Sequence, residues 1–304
     1  GVFVMEKYLK GALELEAGLR YDYRTVSAAR YVGKNLQEAT MTYQNGSLFF
    51  GGRYQINSNW SFTSNLGTAW RPPNVNELFS QGLHHGAAAV ELGDANLDSE
   101  KSLKWVNELE YEGKRSTLEL AAYANQIRDY IYLNPTGETF VSLRGTFNVY
   151  EYLQANAFFY GLDISGTYSF TEQLNGYAKG SIIRAKNTQS DTFFPFIPSD
   201  RMDWGLSYSL GENPDQGKNR ITISNVLVAK QHREPEFDLA PAPPAYGLIN
   251  LGYSKKLKLF KNTLSLSLQV NNLLNTEFKE YMNRFRYFTA DMGRNFQLKF
   301  NYQF

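Results

Sequence analysis

Apolar and polar side chains alternate along most of this chain, and the last stretch shows it most plainly. In Gly293 to Phe304, residues Phe296, Leu298, Phe300, Tyr302 and Phe304 take every second place, and Asn295, Gln297, Lys299, Asn301 and Gln303 fill the gaps. Successive side chains of a strand point to opposite faces, so one face is wholly apolar and the other wholly polar. The same alternation recurs through Leu13–Tyr23, Leu48–Ile56, Trp60–Trp70, Trp105–Tyr111, Leu118–Tyr132 and Asn148–Phe170. It continues through 174–186, Trp204–Leu210, Ile221–Ala229, Ile249–Tyr253 and Leu264–Val270. With the alternating N-terminal stretch this makes about thirteen strands. The segments between them read as connections: Ser27–Gly46, Arg71–Glu100, Asn134–Thr146, Asn187–Ser199, Gln231–Ala245 and Asn271–Met292 are long, whereas Asn57–Asn59, Glu112–Lys114, Thr171–Gln173 and Gly211–Asn219 are turns.

Long and short connections therefore alternate strictly. A soluble sandwich or propeller has no reason to gather every long loop at one end. An outer-membrane barrel does, having short periplasmic turns and longer outer loops. The expected fold class is all-β, a transmembrane antiparallel β-barrel of the outer-membrane type, with the last strand closing it. An odd strand count, in a class that uses even numbers, predicts further strands upstream.

Composition sharpens this picture. Mean hydropathy is low, -0.44, and no apolar run approaches the ~18 residues of a spanning helix. A barrel strand shows lipid only every second residue, so low hydropathy is no obstacle. The chain carries 21 Tyr and 21 Phe, rings suited to the level of lipid headgroups. Cysteine is absent, which removes disulfides and thiolate metal sites. A net charge of +1 gives no electrostatic case for nucleic acid. The N-terminus alternates instead of showing a basic start and an apolar core, so it is no export signal.

Several short motifs then occur in order. Trp70-Arg71-Pro72-Pro73 is followed by Asn76, Glu77, Leu78 and Phe79; Asp94-Ala95-Asn96-Leu97 is followed by Glu100, Lys101 and Ser102. Further on come Phe159-Tyr160-Gly161-Leu162-Asp163, Val270-Asn271-Asn272-Leu273-Leu274-Asn275 and the terminal strand. Together they resemble the TonB-dependent outer-membrane receptors, with Ala95 where proline is common. The resemblance covers the whole chain. It implies the C-terminal ~13 strands of a 22-strand barrel, with residues 1–304 all barrel and the N-terminal plug and early strands absent. It also implies a bacterial outer-membrane protein, and no enzyme. Its function would be to bind a scarce metal complex (ferric siderophore, haem, zinc or cobalamin) and import it with TonB-coupled energy. The implied partners are TonB, reached through a missing N-terminal segment, the plug domain, outer-membrane lipid and the small metal-complex ligand. No cofactor is required; haem, a ferric chelate or zinc would be cargo.

The candidate ligand-binding residues lie in two of the long, outer connections. His84 and His85 sit in Arg71–Glu100, and neutral imidazole ligates zinc, copper and haem iron. In haem receptors of this family a ligating histidine lies between boxes like those at Arg71 and Asn96, so the resemblance makes His84 or His85 an axial ligand. Two histidines seldom complete a metal site alone, and ordinary loop residues are the competing reading. Tyr281, Arg284, Arg286 and Tyr287 cluster in the last loop, where arginines and rings suit an anionic ferric chelate or a basic rim beside anionic headgroups. Arg71 completes the candidate set. The Pro-rich Pro235–Pro244 segment reads as a stiff loop. A passive pore or adhesin barrel is the alternative function, and a barrel phospholipase a more distant one. No nucleophile motif is present.

Overall fold

The computed structural model describes residues 1–32, 34–213, 217–235, 237–259 and 262–303. Terminal Phe304, the middle of the expected turn Gly211–Asn219 and Glu236 of the Pro-rich segment lie outside them. Thirteen strands follow one another in an antiparallel sheet: β1 (Val2–Lys10), β2 (Leu13–Val32), β3 (Asn35–Gln55), β4 (Trp60–Arg71), β7 (Glu100–Glu112), β8 (Ser116–Ser142), β9 (Gly145–Ser169), β10 (Leu174–Asn187), β11 (Arg201–Asn213), β12 (Gly217–Val228), β13 (Tyr246–Leu259), β14 (Asn262–Asn271) and β15 (Asn295–Gln303). Two short strands, β5 (Gln81–His84) and β6 (Ala89–Leu92), and one helical turn, α1 (Val75–Phe79), lie in the connection after β4. No described helix is long and apolar enough to cross a membrane. The chain crosses with strands.

The alternation of the sequence becomes two faces. Register places Leu162, Ile164 and Tyr168 of β9 beside Ile182, Gly180 and Gly176 of β10, and Met202, Trp204 and Leu206 of β11 beside Leu227, Asn225 and Ile223 of β12. This face is apolar and exposed, with Leu66, Trp105, Phe296 and Phe300 continuing it across the sheet. Large apolar side chains left uncovered on one face of every strand are what a lipid-facing wall requires. The opposite face is polar and laced with pairs: Lys7 with Glu14 and Glu16, Arg53 with Glu110 at 2.9 Å, and Asp163 accepting from Ser181 at 2.5 Å.

Two expectations are corrected. Ser27–Gly46 is no loop: β2 and β3 pair without interruption from Leu13/Tyr54 to Val32/Asn35. Asn134–Thr146 likewise belongs to β8 and β9, which pair as far as Ser142/Gly145. Strands of 20, 21, 27 and 25 residues exceed the ~9–11 that a bilayer needs, so both hairpins stand well out of the membrane. Connection length therefore does not alternate strictly, because these two outer connections are tight hairpin ends. Polar turn-like residues are tolerated in them because both faces are wet, and backbone pairing with the neighbouring strand outweighs local preference. The β8–β9 hairpin bends at register shifts between Ile127 and Tyr130 and between Pro135 and Thr139. Pro135, which cannot donate to a ladder, stands at the second shift. The sheet is a partial barrel: β15 pairs with β14 alone, and β1 and β15 are its two ends.

Candidate functional site

The loops at the outer end pack into a cap. The connection 72–99 is clamped at its base, where Arg71 and Glu100 stand opposite each other in β4 and β7. Arg71 donates from Nε to Glu100 Oε2 at 2.9 Å and from one terminal nitrogen to both oxygens of Glu77 at 2.8 and 3.0 Å. Glu77 also accepts from the Asn74 amide at 2.7 Å, holding the first turn of α1. The other oxygen of Glu100 accepts from the Ile131 amide at 2.7 Å. One guanidinium thus ties together β4, α1, β7 and β8. Gly93 lets the chain return across the end of α1. A Cβ there would stand 2.7 Å from the Phe79 nitrogen and 2.8 Å from the Glu77 carbonyl oxygen, so no other residue fits.

Beyond α1, β5 and β6 form a hairpin, and β6 lies parallel against β9 from Ala89/Asn148 to Leu92/Glu151. Strand β10 pairs with β9 only below Ala157, so the edge of β9 above that point is free to accept β6. This pairing carries Glu91 to Tyr150. Glu91 is buried. It accepts from Arg284 at 2.7 Å and from the Tyr152 hydroxyl at 3.2 Å, and His84 Nδ1 lies 3.5 Å away. Burial alone would push the Glu91 carboxyl up, but the Arg284 hydrogen bond and charge outweigh it and hold it below the usual carboxylate range. Arg284 also lies over the Tyr150 ring, 5.6 Å from its centre.

A second network sits beside the first. Arg286 is 3% exposed and donates to Asp238 Oδ2 at 2.6 Å, to the Tyr287 hydroxyl at 3.0 Å and to the Pro241 carbonyl at 3.3 Å. Its guanidinium lies between the rings of Tyr281 and Tyr287, 4.8 and 4.5 Å from their centres. Tyr287 donates to the other oxygen of Asp238 at 2.6 Å. Burial first, and the Asp238 carboxylate next, push the Tyr287 phenol well above its ordinary value, so it stays protonated and a donor. Lys279 closes the turn by donating to the Arg286 carbonyl at 2.7 Å. Ala87, Ala89 and Tyr150, packed against Leu239 and Tyr287, supply the apolar floor common to all three loops.

The structure therefore brings together His84, Arg284 and, one network away, Arg286 and Tyr281, while Arg71 stands at the loop base. His84 is 62% exposed in its side chain and His85 is exposed beside it; Arg284 is 27% exposed. Tyr281 and Arg286 are buried, the Tyr281 ring against the Arg286 guanidinium and the guanidinium on Asp238. Among the described residues no group of three or more His, Cys, Asp or Glu is placed to hold a metal ion. Sequence reasoning passed over Glu91, Tyr150, Tyr152 and Asp238. Glu91 had a signal, as a lone acid inside the apolar run Ala89–Leu92. For the others, partners in loops far along the chain left none.

Comparison with known proteins identifies the class. Residues 1–273 match the family model described as TonB dependent receptor-like, beta-barrel, and the chain belongs to that family, whose barrels are proteins of the bacterial outer membrane. It is 25% identical over 316 residues to the heme/hemopexin utilization protein C of Haemophilus influenzae (strain 86-028NP), covering 96% of this chain and 41% of that protein. Among solved structures it superposes on the copper transporter OprC with a TM-score of 0.80 at 20% identity, covering 99% of this chain and 47% of that one. It also superposes on the FrpB iron transporter of Neisseria meningitidis (F5-1 variant) with a TM-score of 0.72 at 18% identity, covering 99% and 45%. The chain spans less than half the length of these relatives. Members of the family are transport receptors.

Proposed function

We propose that the receptor containing this chain captures a metal complex on the outer cap and passes it inward, driven by TonB through a plug domain. The ligand class is a ferric siderophore, haem, zinc or cobalamin. The observation that carries the reading is the cap itself. Three loops are locked by the Glu91–Arg284 and Asp238–Arg286 contacts, and the lock leaves His84, His85 and the open side of Arg284 together at the surface. Similar proteins are a heme/hemopexin utilization protein, a copper transporter and an iron transporter, which supports a metal-bearing cargo. In this reading His84 and His85 offer imidazole nitrogens to the metal, and Arg284 offers charge to an anionic chelate. Arg71, Tyr281 and Arg286 hold the loops that present them.

The test is binding and uptake by the full receptor chain, with haem, a ferric catecholate, zinc and cyanocobalamin as separate probes. One probe is expected to bind, to require TonB for uptake, and to lose ~10–100-fold in affinity in the double variant H84A/H85A. Equal binding with and without the two histidines would remove the metal-ligand role. Uptake that persists without TonB would favour the passive pore.

A further inference from the structure

One carboxylate on the outward wall has nothing to answer it. Strand β1 reads Val2, Val4, Glu6, Tyr8 and Lys10 on one side and Phe3, Met5, Lys7 and Leu9 on the other. Lys7 stands opposite Glu16 and pairs with Glu14 and Glu16 on the polar face. Glu6 therefore faces lipid, opposite Ala17, between Val4 opposite Leu19 and Tyr8 opposite Leu15. A further strand beside β1 would take its free backbone edge and leave this face uncovered. On β2, Ala17 lies halfway between Leu13, at the inner turn, and Tyr21. Around it Tyr54, Trp60 and Tyr111 stand near the inner turns, and Tyr21, Tyr23 and Trp70 toward the outer ends. Two such girdles of rings bound the apolar band of a barrel wall. Glu6 is thus at mid-depth, where a charge on the lipid face costs most. Lys10 and Lys101, on the same face, stand near strand ends, within reach of headgroups and water.

Other polar groups on this part of the wall satisfy one another. Ser64 donates to Asn107 at 2.9 Å and accepts from the Trp105 indole at 3.0 Å. Glu6 has no hydrogen bond or ion pair among the described residues. Beside it, the small side chain of Ala17 leaves a groove of about 580 Å³, with Glu6 in its lining and Val4, Leu19, Leu48, Phe50 and Leu66 giving it an apolar wall. A lone carboxylate and a hydrocarbon groove thus lie side by side, at a depth that water does not reach.

We propose that this face is a docking surface for a membrane-embedded partner protein that carries a lysine or arginine at mid-bilayer depth. The apolar stem of that side chain lies in the groove and its charged head meets Glu6. Charge selects the occupant. Acyl chains offer Glu6 no donor, and headgroups lie at the level of the two girdles. A second copy, turned about an axis along the membrane normal, would set equal depths together. The residues at that depth on the neighbouring strands, Ala17, Phe50, Ser64, Leu66 and Asn107, hold no cation for it. In hydrocarbon no water competes for the pair, so a carboxylate holds a cation there more tightly than at a wet surface.

Association of spanning peptides with the full receptor in vesicles, read by energy transfer, tests this. The probes are an apolar spanning helix with one central lysine and the same helix with a central leucine or glutamate. The variants are E6Q, which removes the charge, A17F, which fills the groove, and E6K, which reverses the charge. Folding of each is checked by the heat-dependent gel shift of barrels. Expected is association of the lysine helix with wild type, roughly tenfold tighter than that of the leucine helix, and lost to the same extent in E6Q and in A17F. E6K should take the glutamate helix instead. Equal association of the lysine and leucine helices with wild type would overturn the proposal, as would unchanged association in E6Q. Thermal unfolding of the receptor alone supplies a second reading. E6L should raise the midpoint, because it removes an unpaired charge from lipid. A lowered midpoint would show Glu6 already paired within the receptor and would overturn the docking surface. A dimer of the receptor that E6Q dissociates would overturn it too, giving the face to a second copy.

Discussion

Arg53 and Arg286 each face a carboxylate at hydrogen-bond distance, in very different surroundings. Arg53 meets Glu110 at 2.9 Å on the polar face of the wall, with side chains 49% and 38% exposed. Arg286 meets Asp238 at 2.6 Å in the cap, with side chains 2% and 6% exposed. The wall pair is wet, and removing it returns two ions to water. The cap pair is dry, and removing one member strands the other. The wall itself is held by its backbone ladder and by lipid, and its ion pairs add little. The cap's loops carry only short ladders where described, β5 with β6 and β6 with β9, so buried charges and rings hold them.

That contrast can be broken at its strongest point by R286A. Asp238 would lose its guanidinium while still buried, a cost of ~3–5 kcal/mol. Loops 229–245 and 272–294 should then open to protease and to hydrogen exchange, while the heat-resistant barrel band on a gel stays unchanged. Loss of the barrel band itself would show that cap and wall are one cooperative unit.

The wall is attacked from its lipid side by L206R, in the middle of β11. Arginine near the bilayer centre costs ~2–4 kcal/mol. Urea unfolding in vesicles should shift by that amount, with no change in exchange at the cap. An equally large loss of protection at 279–291 would mean the two regions are coupled.

The Glu91–Arg284 contact gives a milder, pH-dependent probe. The Glu91 carboxyl lies below its ordinary value in the folded cap, so its stabilisation is present above the unfolded value of about 4.3 and is lost as pH falls through the depressed one. Hydrogen exchange at 89–92 and 284–287 should stay slow from neutral pH down to about 4 and quicken only below that. E91Q should show at neutral pH what acid shows in the wild type, a loss of ~1.5–3 kcal/mol. Quickening already near pH 6 would point to another group.

R53M is the smallest. Its pair with Glu110 is open to water, so unfolding should shift by no more than ~1 kcal/mol. A larger shift would show that the polar face of the wall is drier than its exposure indicates.

Much of the wall was legible in the residues alone. A lipid-facing strand must place an apolar side chain at every second position, and that demand is local, so Leu162, Ile164, Tyr168 and Phe296, Leu298, Phe300 announce both strand and face without reference to anything distant. The boxes around Arg71 and Asn96 marked the loop at which the cap is built. Leu13–Tyr23 gave the start of β2 but not its length. Once a hairpin leaves the membrane, both faces are wet and the period-2 signal fades, although the ladder continues.

What the tertiary structure alone decided is how the arginines are spent. Arg71, Arg284 and Arg286 look alike in sequence, as cations near aromatic or acidic loop residues. Folding gives Arg71 two carboxylates at a loop base, gives Arg284 a partner 193 residues away, and buries Arg286 between two rings. Charge pairing depends on which loops meet in space and on how much water is left between them. Alternation encodes the wall because its solvent is the same for every strand; the cap makes its own solvent from its neighbours, and those are known only when the chain has folded.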